Sequence, residues 1–138
     1  MSAFENAKKF FEACEAPAGW AGCKQYVVAN APFVAQSEPI ADVDTVEGYC
    51  DWMKGFATVT APGATYDLHS ASYDPQTRTA VFFATYHAKH TGEGGPVPPT
   101  GKSVEADYVY VMDFDGDRIR HMTKIWHDGV SLRQMGWV

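Results

Sequence analysis

The stretch SVEADYVYVMDFDGDRIRHMTKIWHDG, residues 103–129, decides the fold. Val104, Ala106, Tyr108, Tyr110, Met112 and Phe114 alternate with Ser103, Glu105, Asp107, Val109, Val111 and Asp113. Alternation of this length is a β-strand with one apolar face, because successive side chains leave a strand on opposite sides. Asp115-Gly116 then supplies a residue pair that tight hairpin turns favour. Residues 118–127 return as a second strand, so the stretch is an antiparallel hairpin. Its aromatic face predicts contact with helices. Its other face, where Val109 and Val111 sit among charges, predicts solvent or a second copy of the chain, hence a homodimer through the outer sheet face.

Outward from this hairpin the pattern changes once. Residues 64–73 and 77–90 read as two more strands, separated by the turn Asp74-Pro75-Gln76 and followed by a glycine- and proline-rich loop at 92–99. Everything earlier has helical spacing. Residues 2–16 predict an amphipathic helix, N-capped by Ser2 with Glu5 three residues on, and ended by Pro17 and Gly19. Residues 20–30 predict a second short helix and residues 33–36 a brief strand. In residues 45–60, Val46, Tyr49, Met53 and Phe56 share one helical face with Trp52 beside it. Residues 129–135 suffice for a terminal turn or short helix. Helices first and a meander afterwards make an α+β domain over residues 1–138, with three N-terminal helices packed on a curved antiparallel sheet of four main strands.

Bulk properties exclude several function classes. A chain of 138 residues predicts one domain. Its net charge of -6 offers nucleic acid no basic footprint. No apolar run approaches the ~20 residues of a membrane span. The first residues lack the layout of a secretory signal, and Cys14, Cys23 and Cys50 lack metal-ligand spacing, which predicts reduced buried thiols and a cytoplasmic location. Aromatic residues are 14% of the chain, enough to supply a pocket as well as a core. Thr100-Gly101-Lys102-Ser103 imitates a phosphate-binding loop, but Pro96 stands where that loop needs glycine and a strand follows instead of a helix. Asp113, Asp115 and Asp117 imitate a calcium loop, but Arg118 replaces its turn glycine. His87 and His90 fall on opposite faces of a strand, poor geometry for one metal. The residues therefore predict neither a metal nor a cofactor.

The ordered set His90-Thr91-Gly92, Pro99-Thr100-Gly101-Lys102, Asp115-Gly116-Asp117-Arg118-Ile119, Trp126 and Gln134-Met135-Gly136 resembles the SnoaL-like polyketide cyclase branch of the nuclear-transport-factor-like superfamily. The resemblance implies a cone-shaped α+β fold and a cofactor-free cyclase or isomerase, usually dimeric, whose pocket is the open cone. It also implies an acid/base aspartate late in the last strand. Registering on the Gln-Met-Gly ending puts that position at His127, a departure from the pattern.

With that register, strand parity puts Ile119, His121, Thr123, Ile125 and His127 on the pocket wall, and Arg120, Met122, Lys124, Trp126 and Asp128 on the other face. His127 is then a candidate general base, with an ordinary pKa near ~6.5 suited to proton transfer at neutral pH. A structural, hydrogen-bonded histidine beside a helix is its alternative role. Asp128 is either the orienter of His127 or the N-cap of the last helix. Tyr108, Tyr110 and His90 are candidate hydrogen-bond donors to a substrate oxygen, and Trp52, Tyr49 and Phe56 candidate apolar contacts. The expected ligand is a small apolar, carbonyl-bearing molecule. A non-catalytic binding or dimerisation domain of the same fold is the rival reading.

Overall fold

The computed structural model describes residues 2–138. Helix α1 (Ala3–Glu15) begins where Ser2 Oγ accepts the Glu5 backbone N–H at 3.1 Å, and it buries Ala7, Phe10, Phe11 and Cys14. Helix α2 (Gly19–Cys23) is shorter than the spacing predicts and passes into a 3-10 turn at Lys24–Tyr26. Helix α3 (Val46–Gly55) is capped by Thr45, whose Oγ1 accepts the Gly48 N–H at 3.0 Å. Its helical spacing continues to Thr60, but the final turn widens into a π-helix at Phe56–Thr60. The glycine-proline loop crosses the chain there. Gly92 donates to the Thr60 carbonyl at 2.9 Å, and a Cβ at Gly92 would lie 1.6 Å from the Val59 carbonyl oxygen, so only glycine passes.

Five strands follow the order β1-β5-β4-β3-β2: β1 (Phe33–Ala35), β2 (Thr65–Asp74), β3 (Thr79–Lys89), β4 (Ser103–Asp115) and β5 (Arg118–Trp126). Neighbours are antiparallel except β1, which runs parallel to β5 with Phe33 beside Met122 and Ala35 beside Lys124. The four main strands are antiparallel as their alternation predicts, and the brief strand expected at 33–36 is β1, which covers the exposed edge of β5. The aromatic face of β4 packs under the helices as its pattern predicts, with Tyr108, Tyr110, Met112 and Phe114 buried against Phe10, Phe11 and Tyr49.

One irregularity matters for everything below. In the β4–β5 hairpin Asp113 pairs with His121 but Phe114 pairs with Ile119, which leaves Arg120 as an extra residue on β5. A bulge of this kind inverts the facing of every later residue. Ile119 is therefore buried under the helices, and so are Met122 and Lys124, while Ile125 is exposed on the outer face. After Trp126 the chain turns into helix α4 (Asp128–Met135). Gly136 closes it in the left-handed conformation (φ 74°), with Trp137 N–H on the Leu132 carbonyl at 2.8 Å. Among the described residues no helix is long and apolar enough to cross a membrane.

Candidate functional site

Where β4 begins and β5 ends beneath the end of α3, the sheet, α3 and α4 leave a cavity of about 40 Å³. Its walls are mostly apolar: Trp52, Met53 and Phe56 from α3 and its last turn, Val104 and Ala106 from β4, Trp126 from β5, and Met135 from α4. Trp126 is fixed by its indole N–H donating to Ser131 Oγ at 2.8 Å. The polar lining converges from four elements: Glu15 ends α1, Tyr86 lies on β3, Tyr108 on β4 and Lys124 on β5. Trp52 and Phe56 also border a wider outer groove of about 750 Å³ that runs past Leu132 and Trp137.

Glu15 is 4% exposed and Lys124 is 7% exposed, so both charges sit in the interior. Glu15 falls on the buried stripe of α1 because it lies one helical turn beyond Phe11. Its Oε1 accepts the Tyr110 hydroxyl, which in turn accepts from Tyr49 Oη at 2.7 Å. Its Oε2 has no protein partner, and neither do the hydroxyls of Tyr86 and Tyr108 on the same cavity. Lys124 stands opposite Tyr110 in the β4–β5 register and points inward because of the Arg120 bulge. Its Nζ lies 4.9 to 5.8 Å from the ring centroids of Trp126, Tyr49, Tyr108 and Trp52. Among the described residues it forms no ion pair.

Ionisation follows from this burial. Loss of hydration raises the Glu15 carboxyl above its ordinary value, with the Lys124 charge and the Tyr110 hydrogen bond opposing the rise. The same loss brings Lys124 down from 10.5 to about 8, with Glu15 opposing the fall. Burial also pushes the Tyr108 and Tyr86 hydroxyls up, so both remain proton donors at neutral pH. A carboxylate, an ammonium held by aromatic faces and two free hydroxyls therefore meet in one apolar space.

The residues singled out from sequence divide into three groups. Trp52, Phe56 and Tyr108 line the cavity, and Tyr49 and Tyr110 lie buried directly behind it, forming the hydrogen-bond chain to Glu15. His90 is also buried, but elsewhere. Its Nδ1 accepts the Trp137 indole N–H at 2.9 Å, so its ring proton belongs on Nε2, and the ring anchors the loop from 92 to 101 against the C-terminus. His127 and Asp128 lie outside the lining of this cavity. The bulge at Arg120 turns the expected wall of His121, Thr123, Ile125 and His127 outward, and His127 is exposed beside Glu105 and Asp107. Asp128 is neither the N-cap of α4 nor part of the cavity lining. His127 holds the cap position without a side-chain bond, and Asp128 Oδ2 accepts the Glu38 backbone N–H at 3.0 Å.

No protein-family model and no curated protein sequence matches this chain. Solved structures do. A proposed SnoaL-like polyketide cyclase from Jannaschia sp. CCS1 superposes at a TM-score of 0.79 with 13% identity, over 96% of this chain and 90% of that one. IdmH, a proposed polyketide cyclase from Streptomyces antibioticus, gives 0.77 and 15% over 99% of each. An NTF2-like protein from Burkholderia thailandensis gives 0.75 and 14% over 98% of each. At these identities the likeness establishes the fold: a nuclear-transport-factor-like α+β cone resembling SnoaL-like cyclases.

Proposed function

We propose that the cavity binds a small apolar carbonyl compound and moves a proton on the carbon next to its carbonyl, without a cofactor, as a cyclase- or isomerase-like enzyme. Glu15 accepts the proton. The Lys124 ammonium and the Tyr108 hydroxyl carry the negative charge that develops on the carbonyl oxygen. Tyr110 and Tyr49 hold the Glu15 carboxylate in place through their hydrogen-bond chain. The observation that carries this reading is the convergence of Glu15 Oε2, Tyr86 Oη and Tyr108 Oη, none with a protein hydrogen-bond partner, with the buried Lys124 on one apolar space. Buried polar groups are otherwise satisfied, so a group of unsatisfied ones marks a place for a ligand's polar atoms. The narrow cavity favours small cyclic ketones over polycyclic ones.

Proton exchange tests this without knowledge of the product. A panel of small cyclic ketones in heavy water, followed by NMR, should lose α-hydrogens faster with protein than without, and should quench Trp52 or Trp126 fluorescence. The rate should rise with pH as Glu15 ionises and fall above about 8 as Lys124 loses its proton. Quenching with no exchange would leave a binding protein, and neither response would end the proposal.

A homodimer through the outer sheet face is the second reading. Phe83 is 37% exposed and Ile125 57% exposed on that face, beside the exposed Val81. Phe83→Glu with Ile125→Glu should convert a dimer to a monomer in sedimentation, with near-UV circular dichroism unchanged. A monomeric parent protein would refute it.

A further inference from the structure

Cys14 near the end of α1, Cys23 at the end of α2 and Cys50 inside α3 point at one spot. All their sulfur atoms lie within 4.8 Å of one another. Each residue is 0% exposed, and no disulfide joins any pair. Nothing in the sequence spacing announces the cluster, because each thiol comes from a different helix and only their packing unites them. Hydrophobic packing alone does not explain it, since a core needing volume there would be served by any small apolar residue.

We propose that Cys14, Cys23 and Cys50 form a three-sulfur site for a soft trivalent ion of the arsenic(III) kind. This inference is independent of the proposed activity. Donor type comes first, because thiolate sulfur selects soft ions. Donor number is second. No histidine or carboxylate joins the cluster among the described residues, whereas zinc sites of thiolates are usually completed by a fourth ligand. With metal–sulfur bonds of about 2.3 Å, three sulfurs around one ion lie at most about 4.0 Å apart, so the cluster closes by roughly 1 Å on binding.

Charge decides among the soft ions. Three thiolates around a monovalent ion leave two negative charges, and around a divalent ion one. A trivalent ion leaves none. A buried charge is costly unless paired; Glu15 and Asp51, which act on these thiols, are acidic, and the one cation that does so, Lys124, is already opposed by Glu15. The nearby hydroxyl of Tyr110 lies 3.7 Å from Cys14 Sγ with its proton directed at Glu15, and brings no positive charge. Only the neutral complex suits this interior. Its formation balances without redox chemistry. Three As–S bonds form as three As–O bonds of arsenous acid break, and each thiol proton leaves with a hydroxide as water.

Intact mass spectrometry of the reduced protein after arsenite treatment provides the test, both on native protein and on protein refolded with arsenite present. The expected product carries one arsenic and lacks three hydrogens, with all three thiols protected from alkylation. An adduct that retains a hydroxyl on arsenic would show two-sulfur capture and overturn the proposal, as would no adduct under either condition. Cys14→Ala, Cys23→Ala and Cys50→Ala should each weaken binding by at least ~10–100-fold. Any one of them binding like the parent would also overturn it. If a variant fails to fold, the hydrogen count on the parent protein still decides. Zinc and cuprous ions are the comparison probes, and tighter binding of either would refute the charge argument.

Discussion

Lys124→Met is expected to unfold at a higher temperature than the parent protein while losing all ketone-dependent proton exchange. The two effects have one cause. Burial brings Lys124 from 10.5 to about 8, and at 1.36 kcal/mol per pH unit this is roughly 3 kcal/mol held against the ammonium in the folded state. Faces of four aromatic rings recover part of the lost hydration, and methionine fills a similar volume against those rings without a charge. The gain is smaller than the full figure because Glu15 loses its nearest positive charge, so about 1–3 kcal/mol at pH 7 is expected. The pH dependence identifies the origin. Between about 8 and 10.5 the unfolded chain binds more protons at this site than the folded one, so parent stability rises with pH across that window on account of Lys124. The variant should lack that rise. Chemical denaturation at several pH values measures it, and a variant less stable than the parent at pH 7 would show that Lys124 serves the fold instead of a ligand.

That pairing of cost and position explains why the fold was readable in the sequence and the site only partly so. Alternation in residues 103–114 and the Asp115-Gly116 turn identify the hairpin, because strand period and turn chemistry are local properties. The Ser2 cap and the stripe through Phe11 are local too. Glu15 was within reach of the same reasoning, since it continues that stripe one turn past Phe11. As a charged residue just before Pro17, it reads more readily as a solvated helix end. Lys124 was hidden by a register effect. Counting by twos from Ile119 puts it outside, and only the extra residue Arg120, visible through the pairing of Phe114 with Ile119, puts it inside. The same slip carried His127 from the expected pocket wall to the surface. The inward facing of Tyr49, Trp52, Phe56, Tyr108 and Tyr110 is independent of that slip, because it depends on α3 and β4, which carry no bulge before them. The cysteine cluster was beyond local reading, as three helices must pack before three sulfurs meet.

Glu15→Gln is expected to lower the exchange rate by about 10²–10⁴-fold, the usual worth of a positioned general base, and to leave ketone binding nearly unchanged. Glutamine keeps the shape of the side chain, and its carbonyl oxygen still accepts the Tyr110 hydroxyl, so the chain through Tyr49 persists. What it lacks is a basic oxygen facing the cavity. Stability should not fall at neutral pH. Burial raises the Glu15 carboxyl in the folded state, so from its unfolded pKa upward the folded protein binds more protons there than the unfolded chain. On this group's account, parent stability is fully present below the unfolded pKa and is lost as pH rises through the folded value. Glutamine removes that loss, so the variant should match or exceed the parent at pH 7 and gain nothing at pH 4. His127→Ala is the control on the same assay. Its imidazole is exposed and outside the cavity lining, so exchange should continue at the parent rate. Activity lost in His127→Ala but kept in Glu15→Gln would move the chemistry from the cavity to the end of β5.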